Sequence, residues 1–143
     1  MKNFFKNIIT VIIISFILQY GWEYLQCGIF FNMNTNSPFM LIAVFSDVAI
    51  TLFLYAILAI VNKDWNWLSK SLDTKDYTII ILYALLTSFY FEINAISTGR
   101  WSYSGNMPIL LNTGIGIVPV LQLLILLPVT FIVSKKLSIM IKM

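Results

Sequence analysis

The sequence predicts an all-α integral membrane protein, a four-helix transmembrane bundle built as a single domain over residues 1–143. Three observations lead there. Of the 143 residues, 59% are hydrophobic and 10% charged, against roughly a quarter charged for an average soluble domain, so the chain has too little polar surface to cover itself in water. The apolar residues fall into four runs of about 20 residues, the length that crosses a hydrocarbon core about 30 Å thick. The basic residues mark the ends of those runs unequally. Lys2, Lys6, Lys63, Lys70, Lys75, Lys135, Lys136 and Lys142 fall on one side of a four-span chain and Arg100 alone on the other, which puts both termini in the cytoplasm.

The first helix is expected over about 5–27. Lys2 and Lys6 before Ile8 resemble the start of a secretory signal, but no small-residue cleavage triplet follows, and the segment reads as a retained helix. Its end is polar: Gln19, Glu23 and Gln26 recur at i, i+4 and i+7 and share one face. An uncharged, Asn-rich loop leads to Pro38 and a second helix over about 39–61, interrupted by the single charge Asp47, with Thr51 and Tyr55 on the same face. Between 62 and 76, lysines and aspartates flank Trp65 and Trp67, the composition of a segment lying in the headgroup layer. The third helix is expected over about 77–97, with Ser88, Glu92 and Ala95 inward. The fourth is expected over about 108–133, kinked or unwound where Gly114, Gly116 and Pro119 occur.

Composition also excludes classes of function. The net charge of +3 comes from residues at the ends of the runs instead of a basic face, so no nucleic-acid partner is expected. One cysteine and no histidine remove the usual zinc and non-haem iron ligand sets; no metal or other cofactor is expected, with a hard cation held by carboxylates the remaining option.

Acids inside membrane spans are costly unless paired, protonated or facing water, so each one needs a reason. At 1.5 Å rise per residue, Glu23 and Glu92 lie about 22 Å from the cytoplasmic edge and Asp47 about 13 Å below the outer edge. They share one depth band in the outer half with two or three amides, Gln122 among them, and with Arg100. Unequal environments separate acid from base roles. Glu92, Glu23 and Asp47 are therefore the candidate catalytic groups, with Arg100 expected beside one of them. Trp22, Gln19, Gln26, Asn94, Arg100, Trp101, Tyr103 and Gln122 are the candidate ligand-binding residues. Each has a plainer alternative: interhelical hydrogen bonding for the acids and amides, an interfacial aromatic belt for Trp22, Trp101 and Tyr103.

The segment Glu92-x-x-Ala95-x-x-x-Gly99-x-Trp101-x-Tyr103, followed by Gly114-Ile115-Gly116-Ile117-Val118-Pro119, resembles the motif of the small, membrane-embedded, non-flavin lycopene cyclases. The resemblance covers about 30 residues. It implies a helical membrane unit that cyclises the ends of a linear carotenoid by acid–base chemistry, with Glu92 matching the family's acid and Gly99, Trp101 and Pro119 its scaffold. Where that family carries Pro-x-Glu-Glu, this chain has Pro119-Val120-Leu121-Gln122.

Three functions are open at this point. One is acid–base isomerisation, cyclisation or binding of an apolar, isoprenoid- or lipid-like ligand reached from the bilayer. Another is a proton- or cation-coupled carrier working as a homo-oligomer. The third is an accessory subunit of a larger membrane complex. All three expect a multi-pass protein of a bacterial-type inner or plasma membrane.

Overall fold

A computed structural model describes residues 2–140; Lys142, part of the charge asymmetry, lies outside the described residues. Four helices follow one another: α1 (Lys2–Phe30), α2 (Pro38–Val61), α3 (Thr74–Ser97) and α4 (Ile117–Met140). All four are long and apolar enough to cross a membrane. In hydrocarbon every backbone amide must be satisfied within its own segment, so unbroken helices are what such runs form.

Local chemistry sets their ends. Ser37 Oγ accepts from Phe39 N at 3.3 Å with Pro38 in the first turn, which starts α2. Helix α3 opens on a reciprocal capping box: Asp76 N donates to Asp73 Oδ1 at 2.9 Å and Asp73 N to Asp76 Oδ2 at 3.2 Å. That box starts the helix three residues before the expected Tyr77. It closes at Thr98 with Gly99 at φ +67, where Arg100 N reaches Ala95 O at 2.9 Å and Gly99 N reaches Ile96 O at 3.1 Å, a Schellman turn that only a residue tolerant of positive φ makes cheaply.

The fourth helix corrects the expectation most. It does not begin near 108 but at Ile117. Residues 108–117 form a hairpin instead, with Leu110 N on Ile115 O and Ile117 N on Pro108 O, both at 2.8 Å. Leu111, Asn112 and Gly114 turn it through positive φ. The apolar run continues past 133 to Met140 as helix, so the span keeps its length while its start moves.

Consecutive helices run antiparallel. Helix α1 packs on α2 and α4, and α4 on α1 and α3, while α2 and α3 touch only sparsely. At one end Lys6 Nζ donates to Ser138 O at 2.6 Å and Ser138 Oγ to Asn7 Oδ1 at 2.6 Å. That end is plugged by the 62–73 connection. Its 3-10 turn Trp67–Ser69 carries Trp67, 2% exposed, into the core against Phe131 and Tyr55. Trp67 Nε1 donates to Tyr55 O at 3.1 Å. Trp65 is exposed, while Trp67 departs from the expected interfacial position: an indole whose N–H finds a carbonyl can enter the core. Outside the plug, the Lys70 ammonium hydrogen-bonded to Asp64 at 2.8 Å, together with the Asn66 amide, holds the Asp64 carboxyl below its usual range.

The opposite end is tied by its two loops. Phe31 pairs with Tyr103 in an antiparallel bridge, with Asn32 N on Ser102 O at 3.0 Å and Ser104 N on Phe30 O at 2.9 Å. This clasp brings residues 98–107 over the end of α1. The polar residues collect beneath it.

Candidate functional site

The inward face of α1 places Gln19, Glu23 and Gln26 in the bundle interior, all three buried. Gln122, buried on α4, meets all of them. Its Nε2 lies 2.8 Å from Gln19 Oε1, 2.9 Å from Glu23 Oε1 and 2.8 Å from Asp47 Oδ2, and its Oε1 accepts from Gln26 Nε2 at 2.8 Å. One amide thus joins three helices. Depth arithmetic put these groups in one band, and the structure brings them into contact.

The direction of this network is fixed from outside it. Trp22 Nε1 donates to Gln26 Oε1 at 3.1 Å, and an indole N–H is a donor only. Gln26 must therefore turn its oxygen to Trp22 and its NH2 to Gln122, and Gln122 must turn its own NH2 toward the acids. Two hydrogens then face three acceptors. Cys27 Sγ adds a weak donor to Glu23 Oε2 at 3.6 Å.

Glu92 on α3 is organised separately. It is 5% exposed, and Tyr103 donates to its Oε2. Gly116 N donates to Tyr103 Oη at 2.9 Å, so the single phenolic proton is committed to Glu92. Burial, and then the hydrogen bond to the Glu92 carboxylate, push the Tyr103 phenol up; it remains a donor at neutral pH. Gly116 is required by space: a Cβ there would lie 2.7 Å from Met107 Sδ and 3.0 Å from Tyr103 Cζ. Gly116→Ala is expected to displace Tyr103 and to destabilise the fold by about 1–3 kcal/mol, the usual cost of overfilling a packed site. Thermal unfolding in detergent measures it, and a Gly116→Ala protein as stable as wild type contradicts the close approach.

Between these two groups lies a cavity of ≈ 150 Å³. Glu23, Asp47, Glu92 and Gln122 supply its polar wall, and Phe31, Phe39, Phe91 and Trp101 its aromatic wall. Phe31 and Trp101 meet edge to face at 6.1 Å between centroids. Three lining residues are also exposed on the outer surface of the bundle: Phe39 at 58%, Ile42 at 59% and Phe91 at 37%. They stand on α2 and α3, the pair of helices in sparse contact. The mouth of the cavity therefore opens sideways, onto the apolar surface.

Of the candidate residues, Glu23, Asp47, Glu92, Gln26, Gln122, Arg100 and Trp101 line this cavity. Gln19 and Tyr103 stand behind it, holding Gln122 and Glu92. Trp22 orients Gln26 from outside the lining, and Asn94 accepts from Arg100. Arg100 is not beside an acid as expected. The Schellman turn at Gly99 carries it outward, where its guanidinium donates to Asn94 and lies 5.6 Å over the Trp101 ring. Among the described residues it forms no ion pair. No group of three or more acid or thiol side chains among the described residues converges to hold a metal ion.

No family model, curated protein or solved structure matches this chain.

Proposed function

We propose that this small multi-pass membrane protein admits an apolar, isoprenoid- or lipid-like molecule from the bilayer, between α2 and α3, and carries out acid–base isomerisation or cyclisation on it. The observation that supports this reading is the sideways mouth: a cavity with three carboxyl groups inside and exposed phenylalanines at its rim. A site serving water-soluble ions has no use for an apolar rim of that kind.

The roles follow from the hydrogen-bond directions. Glu92 Oε2 is taken by the Tyr103 proton, so any proton that Glu92 itself carries sits on Oε1. From there it passes to one carbon of an alkene, leaving a carbocation on the neighbouring carbon. Phe31, Phe91 and Trp101 present π faces that stabilise positive charge. Asp47 or Glu23, across the cavity, takes a proton from an adjacent carbon and the double bond re-forms in a new position. The product has the composition of the substrate. Both termini, and with them the lysine-rich end, are placed in the cytoplasm by the charge asymmetry, so the cavity belongs to the outer leaflet.

A photoactivatable, diazirine-bearing isoprenoid in nanodiscs tests the route. Cross-links concentrated on Ala43, Ser46 and Ser88, and lost when Ala43→Trp fills the cavity, support it. Labelling spread evenly over lipid-facing residues such as Phe53 and Leu86, and unchanged by Ala43→Trp, contradicts it.

A further inference from the structure

The clasped end of the bundle is electropositive, and its charge stands at the neck of the cavity. Residues 28–37 and 98–116, which close this end, contain no aspartate or glutamate, and Arg100 is their one charged side chain. The lysines of the described residues stand at the other end, at the start of α1, between 62 and 76 and late in α4. Arg100 forms no ion pair among the described residues. One of its five N–H groups goes to Asn94, and the guanidinium lies 5.6 Å over the Trp101 ring. That stacking holds the fork in place and leaves the rest of it open.

Beside Arg100 is a second recess of ≈ 640 Å³, walled also by Asn32, Asn34, Ser37 and Ser102. Met33, Phe39, Arg100 and Trp101 belong to the walls of both the recess and the cavity, so the two spaces adjoin. At the junction, Trp101 Nε1 is buried without a close hydrogen-bond partner; the unmet need there is for an acceptor. The Ser37 and Ser102 hydroxyls already accept, from Phe39 N at 3.3 Å and Asn32 Nδ2 at 3.2 Å, which leaves their protons to donate. A guanidinium without an acid, together with free hydroxyl and indole donors, matches one chemistry, an oxyanion whose two oxygens meet the fork side by side. The side opening suits an amphiphile of that kind. Phe39, exposed at the mouth, lines the recess and the cavity alike, so a tail slides in between α2 and α3 while its charged head stays among the loops, out of the hydrocarbon.

We propose that Arg100 and its recess bind the phosphate or carboxylate head of an amphiphile whose tail occupies the acid-lined cavity. This rests on the cavity and side opening of the preceding reading and adds the head group and its charge. Two head-group oxygens meet the Arg100 fork, with Ser37 and Ser102 donating from the sides. A head anchored there fixes how far along the tail Glu92 lies, and so selects the double bond at which the proposed reaction occurs.

Titration of dodecyl phosphate, dodecanol and inorganic phosphate into the protein in uncharged dodecyl maltoside micelles, with empty micelles subtracted, separates the possibilities. Dodecyl phosphate is expected to bind about ten-fold or more tightly than dodecanol, the scale of a charged hydrogen bond, and inorganic phosphate far more weakly than either. Arg100→Gln is expected to remove the preference for dodecyl phosphate while leaving dodecanol binding unchanged, and Ala43→Trp, which leaves Arg100 in place, to remove binding of both amphiphiles. Equal binding of dodecyl phosphate and dodecanol, or a preference that survives Arg100→Gln, overturns the anion assignment while the cavity reading stands if Ala43→Trp still abolishes binding. Inorganic phosphate binding as tightly as dodecyl phosphate makes the recess a site for a free anion and overturns the amphiphile assignment. Binding of neither amphiphile above the empty-micelle background, or binding unaffected by Ala43→Trp, overturns the cavity reading itself.

Discussion

Gln122→Leu is expected to destabilise the bundle by about 2–4 kcal/mol, because one substitution strands groups on two other helices, α1 and α2. Single interhelical hydrogen bonds in membranes contribute only about 0.6 kcal/mol on average, since the separated helices find other partners. Gln122 makes contacts to Gln19, Glu23, Asp47 and Gln26 together, and removing it leaves buried carboxyl and amide groups without the donor they were built around, which costs more than the bonds themselves. At this chain length that loss lowers the thermal midpoint by roughly 5–12 °C. A double-mutant cycle with Asp47→Asn sharpens the test: the two changes are expected to be non-additive, because residues in direct contact couple by about 0.5–3 kcal/mol. Strict additivity contradicts the Gln122–Asp47 contact.

Glu92→Gln is expected to lower turnover by 100-fold or more while shifting the thermal midpoint little. Proton transfer by a positioned acid contributes about 10²–10⁴-fold to a rate, and glutamine still offers Tyr103 an oxygen to donate to. Tyr103→Phe makes a useful comparison. It leaves the acid in place but removes the donor that directs its proton, so its loss of rate is expected to be smaller than that of Glu92→Gln. The measurement is conversion of the isoprenoid in proteoliposomes by each variant. Full activity in Glu92→Gln removes Glu92 from the mechanism, and greater damage from Tyr103→Phe than from Glu92→Gln makes the phenol the acid.

The features legible in the sequence were those with a period. Gln19, Glu23 and Gln26 at helical spacing identified the inward face of α1, and Ser88, Glu92 and Ala95 that of α3; all six side chains are buried. What sequence could not supply depends on pairing between irregular segments. Nothing at Phe31 or Tyr103 announces that they bridge, yet that clasp sets Tyr103 over Glu92. The hairpin of residues 108–117 was hidden because its residues are as apolar as the helix that follows, and hydropathy does not register backbone sign at Leu111, Asn112 and Gly114. Arg100 was misplaced for a related reason: charge attraction suggested an acid partner, while the turn at Gly99 decides where the side chain goes. Trp67 was assigned to the interface on composition, which does not register that Tyr55 O is within reach of its indole.

Mass spectrometry of the apolar and amphiphilic compounds that co-purify in mild detergent, comparing wild type with the Glu23→Gln/Asp47→Asn/Glu92→Gln variant, tests the ligand site most directly. A compound enriched in the wild type and absent from the variant is the expected result, and its structure gives the ligand class. Two equally stable preparations carrying the same bulk lipid and nothing else contradict a ligand site at these acids.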